Sequence, residues 1–464
     1  MQALTQGDID WAAPLAKSAV RSSVRLPGSK SITNRALIIA ALAETPTKIV
    51  GPLRARDTEL MAAAVGSLGA SIDMSAPPQQ APAERAAAEL AAAARTANGQ
   101  VVWTVTPGWT SAATKVDVGN AGTVLRFVPP AAALAAADVE FTGDPRAAQR
   151  PVGQLLAGLR QVGVEISDGG RGAVPFIVHG RGRVRGGSVR LDASSSSQLV
   201  SGLMLAAPRY AQGVQIIHEG EQIPSAPHIA MTVAMLTAAG AEVEPGSTGH
   251  GGGLAPNSWR VRPGRLAPGT VTVEPDLSNA APFLAAALVT GGQVTIPGWP
   301  AVSLQAASQI LDVLSQMGAV CRSTAAGLQV HGTGRISGIK ADLRDVSELA
   351  PVLTALAALA DSPSEFTGIG HMRLHESDRL AALAAEIDAL GGYVTELPDG
   401  LRVQPRPLRA SPDPFDSHDD HRLVMAAAVL GLVVPGLQVR NAATVGKTFP
   451  AFTGLWERML EQAP

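Results

Sequence analysis

Apolar and polar positions along the chain recur in two alternating patterns. The first is a helical stretch of small apolar residues that ends in an LGA-like corner and passes into a strand. It reads AVGSLGASIDM (64–74), LLAGLRQVGVEISD (155–168), AMLTAAGAEVE (234–244), LDVLSQMGAVCRS (311–323) and AAEIDALGGYVTE (384–396). The corner glycines Gly69, Gly163, Gly240, Gly318 and Gly391 are spaced by 94, 77, 78 and 73 residues. The first interval is long because it contains an Ala/Pro/Gln-rich insert, 75–100, which reads as an exposed excursion. The second pattern keeps the same phase: a small-residue helix, a short break, then a strand that often ends at Gly. It appears in ALAETPTKIVG, AALAAADVEFTG, LAAPRYAQGVQIIHEG, ALVTGGQVTIPG, ALADSPSEFTG and AVLGLVVPGLQV. Together they predict six repeated supersecondary units, the sixth cut short at FTGLWERML. Helices with small residues and alternating strands imply an α/β fold with closely packed helices.

Six segments open the small-residue helices: PGSKSITNRAL, GNAGTVLRFV, SSSSQLVSGL, DLSNAAPFL, DVSELAPVL and DDHRLVMAA. All begin with or near Ser, Asn, Asp or Gly, the residues that cap a helix N-terminus. A helix start carries unpaired N–H groups and about half a positive charge, so it attracts anions. Helix capping is a sufficient reading of DLSNAAPFL. Three other starts carry more. Lys30 and Arg35 flank SITN, Arg126 follows GNAGT, and His421 with Arg422 opens the last. A cation there opposes the helix dipole by about 0.3–1 kcal/mol. Its repeated use makes sense where an anion sits between the cations.

Composition narrows the function classes. At 464 residues, 46% apolar and 16% charged, the chain is expected to be globular and to form two domains. A net charge of -2 and a pI near 6.5 argue against a nucleic-acid partner. The one basic cluster, HGRGRVRGG (179–187), reads as a solvated hairpin. A single cysteine, Cys321, excludes an internal disulfide and a Cys-based zinc site. No signal peptide or bilayer-spanning run is read, so a cytoplasmic location without membrane attachment is expected.

Seven motifs in order, LPGSKSITNRAL, GNAGTVLRF, TGDPRAAQRPVGQL, SSSSQLVSGLM, LHESDRLAAL, DDHRLVMA and GKTFPAF, fall in phase with the repeats. Through them the chain resembles the enolpyruvyl transferases, in the branch of the 5-enolpyruvylshikimate-3-phosphate synthases, from about Val24 to Pro450. The resemblance implies a two-domain inside-out α/β barrel of six βαβαββ repeats, with central helices, outer sheets and a cleft between the globules. It implies one domain from 1–27 and 275–464 and another from 28–274, with crossings near Pro27–Gly28 and Val273–Asp276. The implied reaction joins shikimate 3-phosphate and phosphoenolpyruvate. The 5-hydroxyl adds to C2, C3 is protonated, and phosphate leaves a tetrahedral intermediate. No cofactor or metal is implied, and a monomer is expected.

Carried over residue by residue, the resemblance puts Lys30, Ser31, Arg35, Ser196, Ser197, Gln198 and Ser225 on shikimate 3-phosphate. Lys30, Gly122, Arg150, Gln198, Arg379, Arg422 and Lys447 fall on phosphoenolpyruvate, with Arg126 at the end of its motif. Four anionic groups explain this density of cations, because charge-assisted bidentate contacts are the strong ones. Glu348, where many relatives carry Asp, would be the base on the 5-hydroxyl, and Glu376 the proton donor to C3; Lys30 also counts as catalytic. If helical, Glu376 and Arg379 share one face at i,i+3. His375 stands where many members have Lys, and would still reach the substrate hydroxyl; His228 stands where many have Tyr. Gly122 implies sensitivity to glyphosate. The rival within the fold is the UDP-N-acetylglucosamine enolpyruvyl transferase, which usually uses a loop cysteine as acid. Cys321 is the one candidate, and its repeat position predicts an inert strand thiol instead.

Overall fold

The computed structural model describes residues 10–74, 101–246 and 254–461. The 75–100 insert lies outside them. The described residues divide into two compact units, one of 10–27 with 274–461 and the other of 28–74, 101–246 and 254–273.

The second unit contains helices α1 (Lys30–Leu42), α2 (Arg56–Ser67), α3 (Gly122–Ala132), α4 (Gly153–Gln161), α5 (Gln198–Ala206) and α6 (Ala226–Ala238). The first contains α7 (Leu277–Thr290), α8 (Ala307–Gln316), α9 (Ala350–Ala358), α10 (Arg379–Ala389), α11 (His421–Gly431) and α12 (Phe452–Glu461).

Each of the first five repeats is a strand, a helix, a parallel strand, a second helix and a hairpin that folds back beside the parallel pair. Thr114–Asp117 runs parallel to Asp138–Thr142, Phe176–His179 pairs antiparallel with the latter, and Glu165–Ser167 forms the edge. The other four-stranded sheets keep this order. Both units close on themselves. Thr270–Thr272, at the end of the second unit, supplies the first parallel strand beside Thr47–Val50. In the first unit Arg21–Ser23 does the same for Gln293–Ile296. The shortened sixth repeat is completed by Trp11–Ala12, which pairs with Gln438–Arg440.

The sequence pattern explains which helices lie inside. In the second unit α1, α3 and α5 pack on one another, and in the first α7, α9 and α11 do. All of α3 and α11 is buried, as expected of helices apolar around their whole circumference. Small residues permit this approach. A Cβ on Gly202 of α5 would stand 2.1 Å from the Arg126 carbonyl oxygen of α3.

The helix starts are more varied than their sequences suggest. Ser29, Asp276 and Asp420 cap α1, α7 and α11 through their side chains. The residues before α3 and α9 are Ala121 and Leu349, and neither makes a side-chain cap; nor does Ser197 before α5. The 179–187 stretch is not a hairpin. Its flanking strands, Phe176–His179 and Gly187–Leu191, belong to different sheets, and the segment carries the chain from one repeat to the next. Its Gly/Arg composition matches a turn, but its register does not.

All five corner glycines adopt a positive φ: 112° at Gly69, 91° at Gly163, 94° at Gly240, 107° at Gly318 and 88° at Gly391. A side chain there is strained wherever it points. Gly69 has a second constraint, because a Cβ would lie 2.6 Å from the Trp109 carbonyl carbon and 2.7 Å from the Thr110 nitrogen. At Gly163 no atom lies within 4 Å of that position. Gly163→Ala is therefore expected to cost about 1–2 kcal/mol through φ alone, and Gly69→Ala clearly more. Urea denaturation of the two variants measures this; equal losses would show that backbone crowding at Gly69 is relieved at no cost.

Candidate active site

In the second unit the site residues gather at the starts of α1, α3 and α5. Ser29 Oγ accepts from the Ile32 amide, which places Lys30 in the first turn of α1. Lys30 Nζ lies 3.2 Å from Asp57 Oδ2; the lysine side chain is 19% exposed and the aspartate 2%. Arg35, one turn further, is fully buried. It donates to Thr232 Oγ1 (2.7 Å), to the carbonyls of Ser31 (3.1 Å) and His228 (3.1 Å), and to Ser201 Oγ (3.4 Å). Its guanidinium carbon lies 5.0 Å from the centroid of the Phe127 ring. Arg35 thus ties α1 to α3, α5 and α6 in this conformation, and His228 meets it through its backbone.

Gly122 opens α3 directly under two arginines. A Cβ there would lie 2.5 Å from Arg150 Nη2 and 2.9 Å from Arg126 Nη1. Arg150 donates to the Asn120 carbonyl (2.7 Å) and side chain (3.1 Å). Arg126 donates to Gln198 Oε1 (3.3 Å) and the Pro151 carbonyl (3.1 Å). Gly122, Arg126, Arg150 and Gln198 are therefore brought together. Ser196 Oγ accepts from the Gln198 amide (3.2 Å), and Ser197 beside it is buried. Ser225 caps α6 in the left-handed region, at φ 54°.

In the first unit Asp420 is the hub, with no exposed surface. One oxygen accepts from Arg379 Nε (2.7 Å) and Ser377 Oγ (3.1 Å). The other accepts from Arg379 Nη2 (3.1 Å) and the Arg422 amide (2.9 Å), capping α11. Glu376 Oε2 lies 3.0 Å from Arg379 Nη2, and its Oε1 3.1 Å from Lys447 Nζ. Burial opposes the charge on Arg379, but Asp420 and Glu376 outweigh it and raise its proton affinity above the ordinary arginine value. On Arg422 burial wins and lowers it. Arg422 donates to the Ser278 hydroxyl (2.6 Å) and carbonyl (3.0 Å), linking the starts of α11 and α7. Phe449 and Phe452 pack on Phe283 of α7 at 6.1 and 5.6 Å between centroids, holding the turn that carries Lys447.

Glu376 is not on a helix. Asp378 caps α10, which begins at Arg379, so the ion pair forms across the helix start instead of along one face. Glu348 lies on a 3₁₀ stretch, Arg344–Leu349, ahead of α9. Its carboxylate acts electrostatically on His371, Arg379 and Arg422. His371 stays neutral through the ordinary working range. Its burial, only partly offset by Glu348 and Asp399, pulls the imidazole down to about 4. His375 Nδ1 lies 3.1 Å from Arg379 Nη1. A guanidinium only donates, so Nδ1 accepts and the ring proton sits on Nε2.

Five of the candidate cations are held by groups to which sequence reasoning gave no role: Asp57 for Lys30, Asn120 for Arg150, Thr232 for Arg35, Ser278 for Arg422 and Asp420 for Arg379. The doubled Asp of DDHR was the one visible signal. Cys321 lies on the strand Ala319–Thr324, and its thiol is pushed up by burial. It has none of the surroundings of an activated acid. Among the described residues no cluster of three or more His, Cys, Asp or Glu could hold a metal, and no helix is long and apolar enough to cross a membrane.

Within each unit a group of cations lies beside at least one buried carboxylate, Asp57 in the second and Glu376 with Asp420 in the first, an arrangement suited to binding anionic groups. The family model for EPSP synthase (3-phosphoshikimate 1-carboxyvinyltransferase) matches residues 15–456. An EPSP synthase structure from Acinetobacter baumannii superposes with a TM-score of 0.73 at 24% identity, over 96% of this chain and 97% of that one. The enolpyruvyl transferase NikO from Streptomyces tendae gives 0.69 at 17% identity, over 97% of each chain.

Proposed function

The chain belongs to the EPSP synthase family, whose reaction moves the enolpyruvyl group of phosphoenolpyruvate to the 5-hydroxyl of shikimate 3-phosphate, and from that premise we propose how its residues divide the work. Glu348 is the base that takes the 5-hydroxyl proton. Its position ahead of α9, within electrostatic reach of Arg379 and Arg422, supports this. Glu376 gives the proton to C3; the tetrahedral intermediate then loses phosphate from C2 as a C3 proton returns to the Glu376 carboxylate, which reforms the C2=C3 bond. Arg379, Arg422 and Lys447 hold phosphoenolpyruvate, together with Lys30, Arg150, Gln198 and the Cβ-free face of Gly122. Ser31, Arg35, Ser196, Ser197, Gln198, Ser225 and the Nε2–H of His375 bind shikimate 3-phosphate, with Lys30 common to both ligands. Arg35 would have to exchange a protein partner for substrate, since it is fully buried. The enzyme acts as a monomer in the cytoplasm.

The observation that carries this reading is the buried cluster of Glu376, Lys447, Arg379 and Asp420, in which two cations are gathered around one acid. Phosphate release from shikimate 3-phosphate plus phosphoenolpyruvate tests it. No release, or release only with UDP-N-acetylglucosamine as acceptor, would contradict it. Glu348→Gln and Glu376→Gln should each lower kcat by ~10²–10⁴-fold with much smaller changes in KM. An unchanged kcat removes that residue from its role.

Gly122 leads to a separate expectation. The methyl of Gly122→Ala must displace the Arg150 guanidinium. Glyphosate, an anionic inhibitor occupying the phosphoenolpyruvate position, should then inhibit the native enzyme well and the variant less. Inhibition curves that coincide would count against the placement of Gly122 beside that ligand.

A further inference from the structure

We propose that Glu376 is a carboxylate in the ligand-free protein and takes up its catalytic proton only when the anionic groups of phosphoenolpyruvate draw Lys447, and in part Arg379, away from it. This rests on the reading of Glu376 as the donor to C3, and deepens it.

The geometry sets the problem. Both oxygens of Glu376 are occupied by cationic donors, Lys447 Nζ at 3.1 Å and Arg379 Nη2 at 3.0 Å. The three side chains are 7%, 4% and 3% exposed. A carboxylic acid needs one oxygen for its proton, and an O–H cannot accept in the same direction from an ammonium or guanidinium. In this arrangement Glu376 has no proton to give. Two buried cations at this distance favour its charged form.

The surrounding charges show how the arrangement changes. Asp420 on α11 holds Arg379 through two further bonds, so Arg379 is anchored whether or not Glu376 stays. His375 accepts from Arg379 and supplies no proton on that side. Glu348, ahead of α9, and Asp276, ahead of α7, also act on Arg379 or Arg422. Lys447 ends the 3₁₀ turn Ala442–Lys447, and its ammonium sits on a flexible stem. It is the member best able to turn toward a phosphate. Three cations (Arg379, Arg422, Lys447) face four carboxylates (Glu348, Glu376, Asp276, Asp420) before any ligand arrives. Phosphoenolpyruvate adds a carboxylate and a phosphate that is close to dianionic at pH 7. The carboxylate that loses its cation to the ligand is then the one that binds a proton.

The step balances. Glu376 takes H⁺ from solvent as the ligand binds. Its O–H bond breaks as the C2=C3 π pair forms the new C3–H bond, the 5-hydroxyl oxygen bonds to C2 and the 5-hydroxyl proton passes to Glu348. Glu376 returns to the carboxylate. The device withholds the acid until its substrate is present.

Phospholactate tests the proposal, because it keeps the carboxylate and phosphate of phosphoenolpyruvate but lacks the C2=C3 bond and cannot turn over. It is titrated calorimetrically into the enzyme at pH 7 in two buffers of different ionisation enthalpy, with phosphoenolpyruvate in the absence of shikimate 3-phosphate as a second ligand. The native enzyme should take up as much as about one proton per ligand bound, and Glu376→Gln none. No uptake by the native enzyme, or equal uptake by Glu376→Gln, overturns the proposal. Turnover separates the two readings. Glu376→Gln that is inactive beside a native enzyme without proton uptake sinks this proposal alone. Full turnover by Glu376→Gln sinks the donor role itself.

Discussion

A cation that must bind a substrate anion cannot be left alone in a buried place, and it cannot be paired so tightly that substrate fails to compete. Asp420 meets both demands in the first unit. Its carboxylate accepts two bonds from Arg379, and the Arg422 amide as the cap of α11. One buried anion therefore fixes a side chain on α10 and the start of α11 together. The desolvation of such a carboxylate is offset only because every direction around it is filled by a donor. The Nη1 of Arg379 faces His375, and the ammonium of Lys447 faces Glu376.

The second unit uses the same device with different chemistry. Lys30 is set against the buried Asp57, and Arg150 against the neutral Asn120. Asn120 orients the Arg150 guanidinium through both its carbonyl and its side chain. Gly122 then lets the backbone of α3 lie directly under that guanidinium, where one methyl group would intrude. Packing density and electrostatics are joined here: the small residues that let inner helices approach also let their charged starts converge.

Much of the fold could be read from the chain because its repeats carry local constraints. A glycine that must take a positive φ at a helix end is legible wherever it recurs, as at Gly69, Gly163, Gly240, Gly318 and Gly391. The α/β architecture with closely packed helices followed from small apolar residues in phase with those corners, whereas the central place of those helices was implied by the family resemblance. The 179–187 segment was misread because composition signals a turn but not which sheet its two ends enter. The cations were visible through their motifs, but most of the groups that hold them were not. Asp57 is 27 residues from Lys30, and Asp420 is 41 from Arg379, so no helical or strand period links either pair. The position of Glu376 ahead of α10 was hidden for a related reason: Asp378, two residues on, was the stronger cap.

The charge of Asp420, more than its shape, holds Arg379 in place. Asp420→Asn separates the two, since asparagine caps a helix about as well as aspartate but cannot hold Arg379 by a charged bidentate bond. Steady-state kinetics of this variant, with each substrate varied in turn, measure the difference most directly. The account predicts that kcat/KM for phosphoenolpyruvate falls by ~10–100-fold, the equivalent of one lost charge-assisted bond. The KM for shikimate 3-phosphate should stay close to native, while the melting temperature falls because the buried Arg379 loses a charged partner. Unchanged phosphoenolpyruvate kinetics, or an equal loss for both substrates, would contradict it.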